Sequence, residues 1–172
     1  MNKIASTIVL LCLTTGALAA PPPQLVAAIQ KWAAPAPVMR FEFSLIDLNS
    51  DSTLDAVVRV TDGDRCGSGG CVLLVFKGTP EGYEKVGDSG YVGRPIYVLK
   101  EVNSGWKSLA GLVGPGQGAS TRPIRYMGTE YRSNPIMRGQ MDITPSIQEQ
   151  ALAFEVVEQV VANISLQRDR VR

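Results

Sequence analysis

Apolar and polar positions follow three successive patterns along the chain. Leu25, Ile29 and Trp32 recur at helical spacing on one face, and Pro35 and Pro37 stop that segment. This predicts one short helix within residues 20–37. From residue 41 to 131 the period shortens to that of β-structure. Apolar and β-branched runs occupy residues 41–48, 56–61, 72–77, 83–86, 96–102, 106–112 and 123–126. Gly, Asn and Asp mark the breaks at 49–55, 62–70, 78–82, 88–95, 103–105 and 114–121. Such spacing predicts a meandering antiparallel sheet of about seven strands. Asn103-Ser104-Gly105 suits a tight turn, because its glycine can take positive φ.

The third pattern follows a Pro- and Arg-containing loop at 132–143. Pro145 and the Ser146/Glu149 pair signal a helix start. Ile147, Ala151, Phe154, Val157, Val161 and Ile164 then form an apolar stripe opposite Gln148, Glu149, Glu155, Glu158 and Gln159. This predicts a longer C-terminal amphipathic helix, whose β-branched residues need tertiary packing. Its expected role is to cover one face of the sheet; dimerisation or partner binding is the other use of such a stripe. The fold expected is α+β, one domain over residues 20–167, with residues 168–172 a frayed tail.

Residues 1–19 read as an address. Lys3 precedes the apolar run at 8–13, and Ala17-Leu18-Ala19 supplies a small-x-small cleavage site. The apolar core is too short to span a bilayer. Leu11 before Cys12 is too large for a lipidation site, so the expectation is a cleaved, soluble, exported protein with no membrane anchor. Export places Cys66 and Cys71 in an oxidising compartment. Four small residues separate them and a strand-like run follows, unlike a redox-active C-x-x-C at a helix start. A structural disulfide is expected, contributing roughly 2 kcal/mol on the chain-entropy model.

Composition narrows the chemistry. The 172 residues include no histidine, which excludes Ser-His-Asp and Cys-His nucleophile pairs and His-ligated metals. Removing residues 1–19 takes Lys3 with it and brings the 17 bases level with the 16 acids. A neutral chain is poorly suited to nucleic-acid phosphates or anionic lipid. No enzyme activity is expected. The acids concentrate in residues 40–64 and the bases in residues 94–138. Such patches either steer a protein partner or pair within the fold.

Among the motifs, Asp47, Asn49, Asp51 and Asp55 stand at positions 1, 3, 5 and 9 of a loop, with the Thr53 carbonyl at position 7. That spacing can wrap Ca²⁺. Val58 replaces the closing Glu of an EF-hand and Ser52 its turn glycine. The flanks read as strands, so the loop resembles the β-hairpin calcium loops of FG-GAP repeats. A metal-free turn capped by Asp and Asn side chains is the alternative. Gly87-Asp88-Ser89-Gly90 matches a serine-protease nucleophile motif, a coincidence in a chain without histidine. Gly114-Pro115-Gly116-Gln117-Gly118 lacks the Lys-Ser/Thr of a phosphate loop.

The run Asp47-Leu48-Asn49-Ser50-Asp51 with Asp55-Ala56, then Cys66-Gly67-Ser68-Gly69-Gly70-Cys71 and Leu73-Leu74-Val75-Phe76, resembles a group of small exported bacterial proteins. Gly105-Trp106-Lys107-Ser108-Leu109 and Tyr131 with Asn134-Pro135 look like later landmarks of that group. Some members resemble periplasmic immunity proteins that neutralise peptidoglycan amidases delivered by type VI secretion. The resemblance implies a periplasmic inhibitor whose partner is a secreted cell-wall hydrolase. Gly67, Ser68, Gly69 and Gly70 would enter a narrow active-site groove, flanked by Tyr91, Trp106 and Tyr126 as aromatic anchors. A plain tight turn is the alternative for those glycines. A calcium-stabilised cell-envelope module for glycan or a small ligand is the rival from another class.

Overall fold

The computed structural model describes residues 20–114, 119–132 and 150–158. The expected signal peptide, residues 133–143 of the Pro- and Arg-containing loop, the Asn134-Pro135 landmark, the Ser146/Glu149 capping pair and the tail lie outside the described residues, as do residues 115–118.

The predicted first helix is present as α1 (Pro23–Ala33). Prolines at its start fit the first turn, where a missing N–H costs no helical bond. Leu25, Ile29 and Ala33 on its inner face are buried. The chain turns back beyond it, where the Gln30 amide donates to the Val38 carbonyl (2.7 Å) and accepts from the Val38 N–H (2.9 Å).

The rest of the described chain is mostly strand: β1 (Arg40–Ile46), β2 (Asp55–Val60), a 3₁₀ turn at Gly63–Arg65, β3 (Cys66–Gly67), β4 (Gly70–Thr79), β5 (Gly82–Asn103), β6 (Trp106–Val113), β7 (Ser120–Tyr126), β8 (Tyr131–Arg132), β9 (Gln150–Ala151) and β10 (Glu155–Glu158). The main path runs β10-β1-β2-β4-β5-β6-β7-β8. Neighbours along it are antiparallel. All six residues of β2 are buried, because both faces of the central strands are covered. Ala56, Val58, Val60, Leu74 and Phe76 meet Phe41, Phe43 and α1 on one side. Val57, Leu73 and Val75 meet Ile96, Leu109, Ile124 and Tyr131 on the other. Continuous apolar runs such as Val72–Phe76 are therefore two-sided core strands, not alternating ones.

The curl that makes this second layer comes from β5. Residues 83–86 and 96–102 do not form separate strands with a loop at 88–95. They belong to a single 22-residue strand whose first part pairs with β4 and whose last part pairs with β6. Register shifts bend it, and β8 returns to pair in parallel with β5 at Gly87. The turn signals at Asp88, Gly90 and Pro95 mark irregularities inside a strand, where bulges and bends accept such residues.

The C-terminal helix is corrected over residues 150–158. Here β9 pairs with β5 at Tyr97 and Val98, and β10 with β1 from Arg40 to Phe43. Leu152 and Phe154 enter the inner cluster, whereas Val157 packs with the cluster beneath α1. One helical stripe cannot serve two layers. An extended strap can, and it also covers the open edge of β1. Val156-Val157 suits a strand better than a helix.

Candidate functional site

The cystine hairpin is held by a covalent bond and by close backbone packing. Cys66 opposes Cys71 and Gly67 opposes Gly70, which leaves Ser68 and Gly69 at the tip. A disulfide joins the two cysteines across 4.0 Å between Cα atoms. Gly70 has φ +109°, and a Cβ there would lie 2.3 Å from the Val92 carbonyl. No other residue fits that position. A Cβ on Gly69 would stand 3.4 Å from the Gly114 carbonyl oxygen and 3.7 Å from Tyr91 Cβ. The tip thus rests against β5 and the end of β6.

Beside the hairpin, β5 bulges. Leu74 opposes Asp88 and Val72 opposes Tyr91, so two steps along β4 match three along β5. The extra residue falls at Ser89-Gly90, with Gly90 at φ +66°. In a regular strand Asp88 and Tyr91 would point to opposite faces; the bulge puts both on one. The Trp32 indole N–H donates to Asp88 Oδ2 at 3.1 Å. Arg65 stacks on the same indole, 5.7 Å from the ring centroid. Asp88 is exposed and Tyr91 is 50% exposed. Residues 66–69, residues 88–91 and Val113 with Gly114 line a groove of about 620 Å³. The hairpin residues and Tyr91 of the sequence expectation thus come together. Asp88 was missed, although it lies in the dismissed Gly87-Asp88-Ser89-Gly90 motif.

Trp106 and Tyr126 lie elsewhere. Trp106 is 8% exposed and belongs to the inner core. Its ring packs 5.0 Å from Tyr126 and 5.8 Å from Tyr131, the latter edge-on. Tyr131 donates its hydroxyl to the Lys107 carbonyl at 2.6 Å. Burial pushes the Tyr131 phenol well above its usual range, so it remains a donor at neutral pH. Trp106 as a surface anchor is therefore corrected: a large ring at the start of a strand fills the curled layer.

In the acidic loop the side chains serve their own backbone. Asp47 accepts from the N–H groups of Ser50 and Ser52, at 2.7 and 3.0 Å. Asn49 accepts from the Asp51 N–H (3.0 Å), and Asp51 accepts from the Thr53 N–H (2.8 Å). The Thr53 N–H, together with the Asn49 amide N–H that donates to Asp51 Oδ2 at 2.8 Å, holds the Asp51 carboxyl below its usual range. Ser50 and Ser52 stand at positive φ, 61° and 68°. Asp55 is fully buried and accepts from Leu48 N–H (2.9 Å) and Gly78 N–H (3.0 Å), tying the loop to β4. Burial raises its carboxyl, and Asp51 and Asp47 add to that. Among the described residues no three acids or cysteines gather as a metal-ion cage. Of the residues of the calcium expectation, Asp47, Asn49, Asp51 and Thr53 thus lie in the loop, and Asp55 is buried at its base.

Several acids of residues 40–64 pair internally. Glu42 meets Arg59 at 2.6 Å and Arg94 at 3.5 Å. Asp62 accepts from the N–H groups of Met39 and Arg40, both at 2.9 Å. No helix among the described residues is long and apolar enough to cross a membrane. Comparison of the chain with protein-family models, curated proteins and solved structures returns no match.

Proposed function

We propose that the protein is a non-catalytic periplasmic inhibitor, an immunity protein that occludes the active site of a peptidoglycan amidase. The observation that carries this reading is the cystine hairpin. Its small-residue tip is tied by the disulfide, wedged by Gly70 against Val92, and bordered by the exposed Tyr91. A turn ordered before docking loses little entropy when it enters a narrow cleft. In this reading Ser68, at the tip, hydrogen-bonds to the target's catalytic groups. The absence of histidine from the sequence agrees with a protein that acts by occupying a surface. The test is a peptidoglycan-hydrolysis assay with a panel of purified secreted amidases. Stoichiometric inhibition of one, lost on Ser68→Arg, supports the reading. No inhibition at tenfold excess, or wall fragments released by the protein alone, overturns it.

A second reading, a calcium-stabilised envelope module for glycan or a small ligand, is favoured by the negative charge of Asp51 and Asp47, which, after burial, helps to raise the Asp55 carboxyl. Millimolar Ca²⁺ matches the affinity of extracellular calcium modules, roughly 10⁻⁴–10⁻³ M. Saturating Ca²⁺ that raises Tm by several degrees would favour this module. An unchanged Tm is expected for the inhibitor.

A further inference from the structure

We infer that the groove beside the cystine hairpin receives a basic side chain, with arginine preferred, from the docked protein. The inference rests on the inhibitor reading for the identity of that protein, but not for the chemistry of the groove. Asp88 is exposed at the groove wall, and among the described residues no cation lies within ion-pair distance of it. Its Oδ2 is fixed by the Trp32 indole, so the carboxylate is oriented before any ligand arrives. Arg65, which stacks on the Trp32 indole, is engaged by Asp62 and Asp64 and by the Ala36 carbonyl.

The bulge at Ser89-Gly90 sets the half-exposed Tyr91 ring on the same face as this carboxylate. A carboxylate and an aromatic face side by side are complementary to a planar guanidinium, which pairs with one and stacks on the other. A lysine ammonium would gain the ion pair with less stacking. The glycine-lined opposite wall leaves room for the side chain to enter. Residues 87–90, which match a protease motif without its chemistry, are thereby assigned a recognition role.

The test uses N-acetyl-arginine methylamide and its citrulline counterpart, titrated into ¹⁵N-labelled protein by NMR. Citrulline keeps the shape and removes the charge. Saturable shifts confined to residues 66–71 and 88–91 are expected with arginine, and binding about fivefold weaker with citrulline. Asp88→Asn, which can still accept the Trp32 N–H, should reduce arginine binding to the citrulline level. Tyr91→Phe should retain it and Tyr91→Ala reduce it. The indole resonance of Trp106, in the inner core, reports that each variant stays folded. Equal binding of citrulline, an unaffected Asp88→Asn, or no shift at 100 mM arginine overturns the inference. So do shifts at these residues with N-acetylglucosamine and not with arginine, which would mark a glycan groove. None of these outcomes depends on whether an amidase is inhibited, so the two proposals fail separately.

Discussion

The acidic loop between β1 and β2 and the cystine hairpin between β3 and β4 are both short, motif-bearing turns, yet they use their polar groups oppositely. In the acidic loop every carboxylate and amide oxygen except Asp51 Oδ2 accepts a backbone N–H of the loop or of β4. In the hairpin the turn is held by a covalent bond and by glycine packing. The nearby Asp88 and Tyr91 still face solvent. A motif rich in ligand-type residues can be wholly occupied with making its own turn. Recognition chemistry is left where the backbone is fixed by other means.

The largest effect that sharpens this contrast is expected at Asp55. Asp55→Ala leaves the N–H groups of Leu48 and Gly78 without their acceptors inside the core. Each buried orphan is costly, and a loss of about 3 kcal/mol is expected in denaturant unfolding. A loss under about 0.5 kcal/mol would show that the loop does not depend on this clamp.

Next in size is removal of the disulfide. Cys66→Ser with Cys71→Ser should cost about 2 kcal/mol by the chain-entropy model, since the closed loop is short. If the contrast holds, binding to an inhibited amidase weakens as well, whereas Asp55→Asn at a temperature where it is folded leaves that binding intact. Equal weakening by both would erase the distinction between a structural and a recognising turn.

Much of this fold was legible in the sequence, and its failures have physical causes. The helical spacing of Leu25 and Ile29 identified the buried face of α1. The runs around Val57, Leu74 and Leu109 identified core strands, because a two-sided sheet demands unbroken apolar sequence. Local pattern does not tell a bulge from a loop: Asp88, Gly90 and Pro95 punctuate both, and only pairing with β4 and β6 keeps β5 continuous. It also does not tell which layer an apolar residue joins, which is why Phe154 and Val157 read as one helical stripe although they pack in different layers. The disulfide was legible from the cysteine spacing and the expectation of export. The groove was half legible, through the hairpin and Tyr91. Asp88 reaches that face only through the bulge, and Trp106 was overvalued because an aromatic residue reads alike in a core and on a surface.

The smallest expected effect is a pH dependence, and its sign decides the matter. Burial, with Asp51 and Asp47 nearby, raises the Asp55 carboxyl above its unfolded value of about 3.9. The folded state then holds the proton more tightly than the unfolded state. The corresponding stabilisation is fully present below the unfolded pKa and is lost as pH rises through the folded one. Asp51, lowered by its bonds to Thr53 and Asn49, runs the other way and loses its contribution as pH falls. Subtracting Asp55→Asn from wild type removes Asp51 and every other group common to both. The stability advantage of wild type over Asp55→Asn should therefore shrink as pH rises from about 3 upward through the raised Asp55 value. Denaturant midpoints measured across that range check it. An advantage that grows with pH would mean that the N–H groups of Leu48 and Gly78 outweigh burial and hold the carboxyl below its unfolded value. Asp55 would then stay ionised to lower pH beside Asp47 and Asp51, and the calcium reading would keep its concentrated negative charge over a wider range of pH.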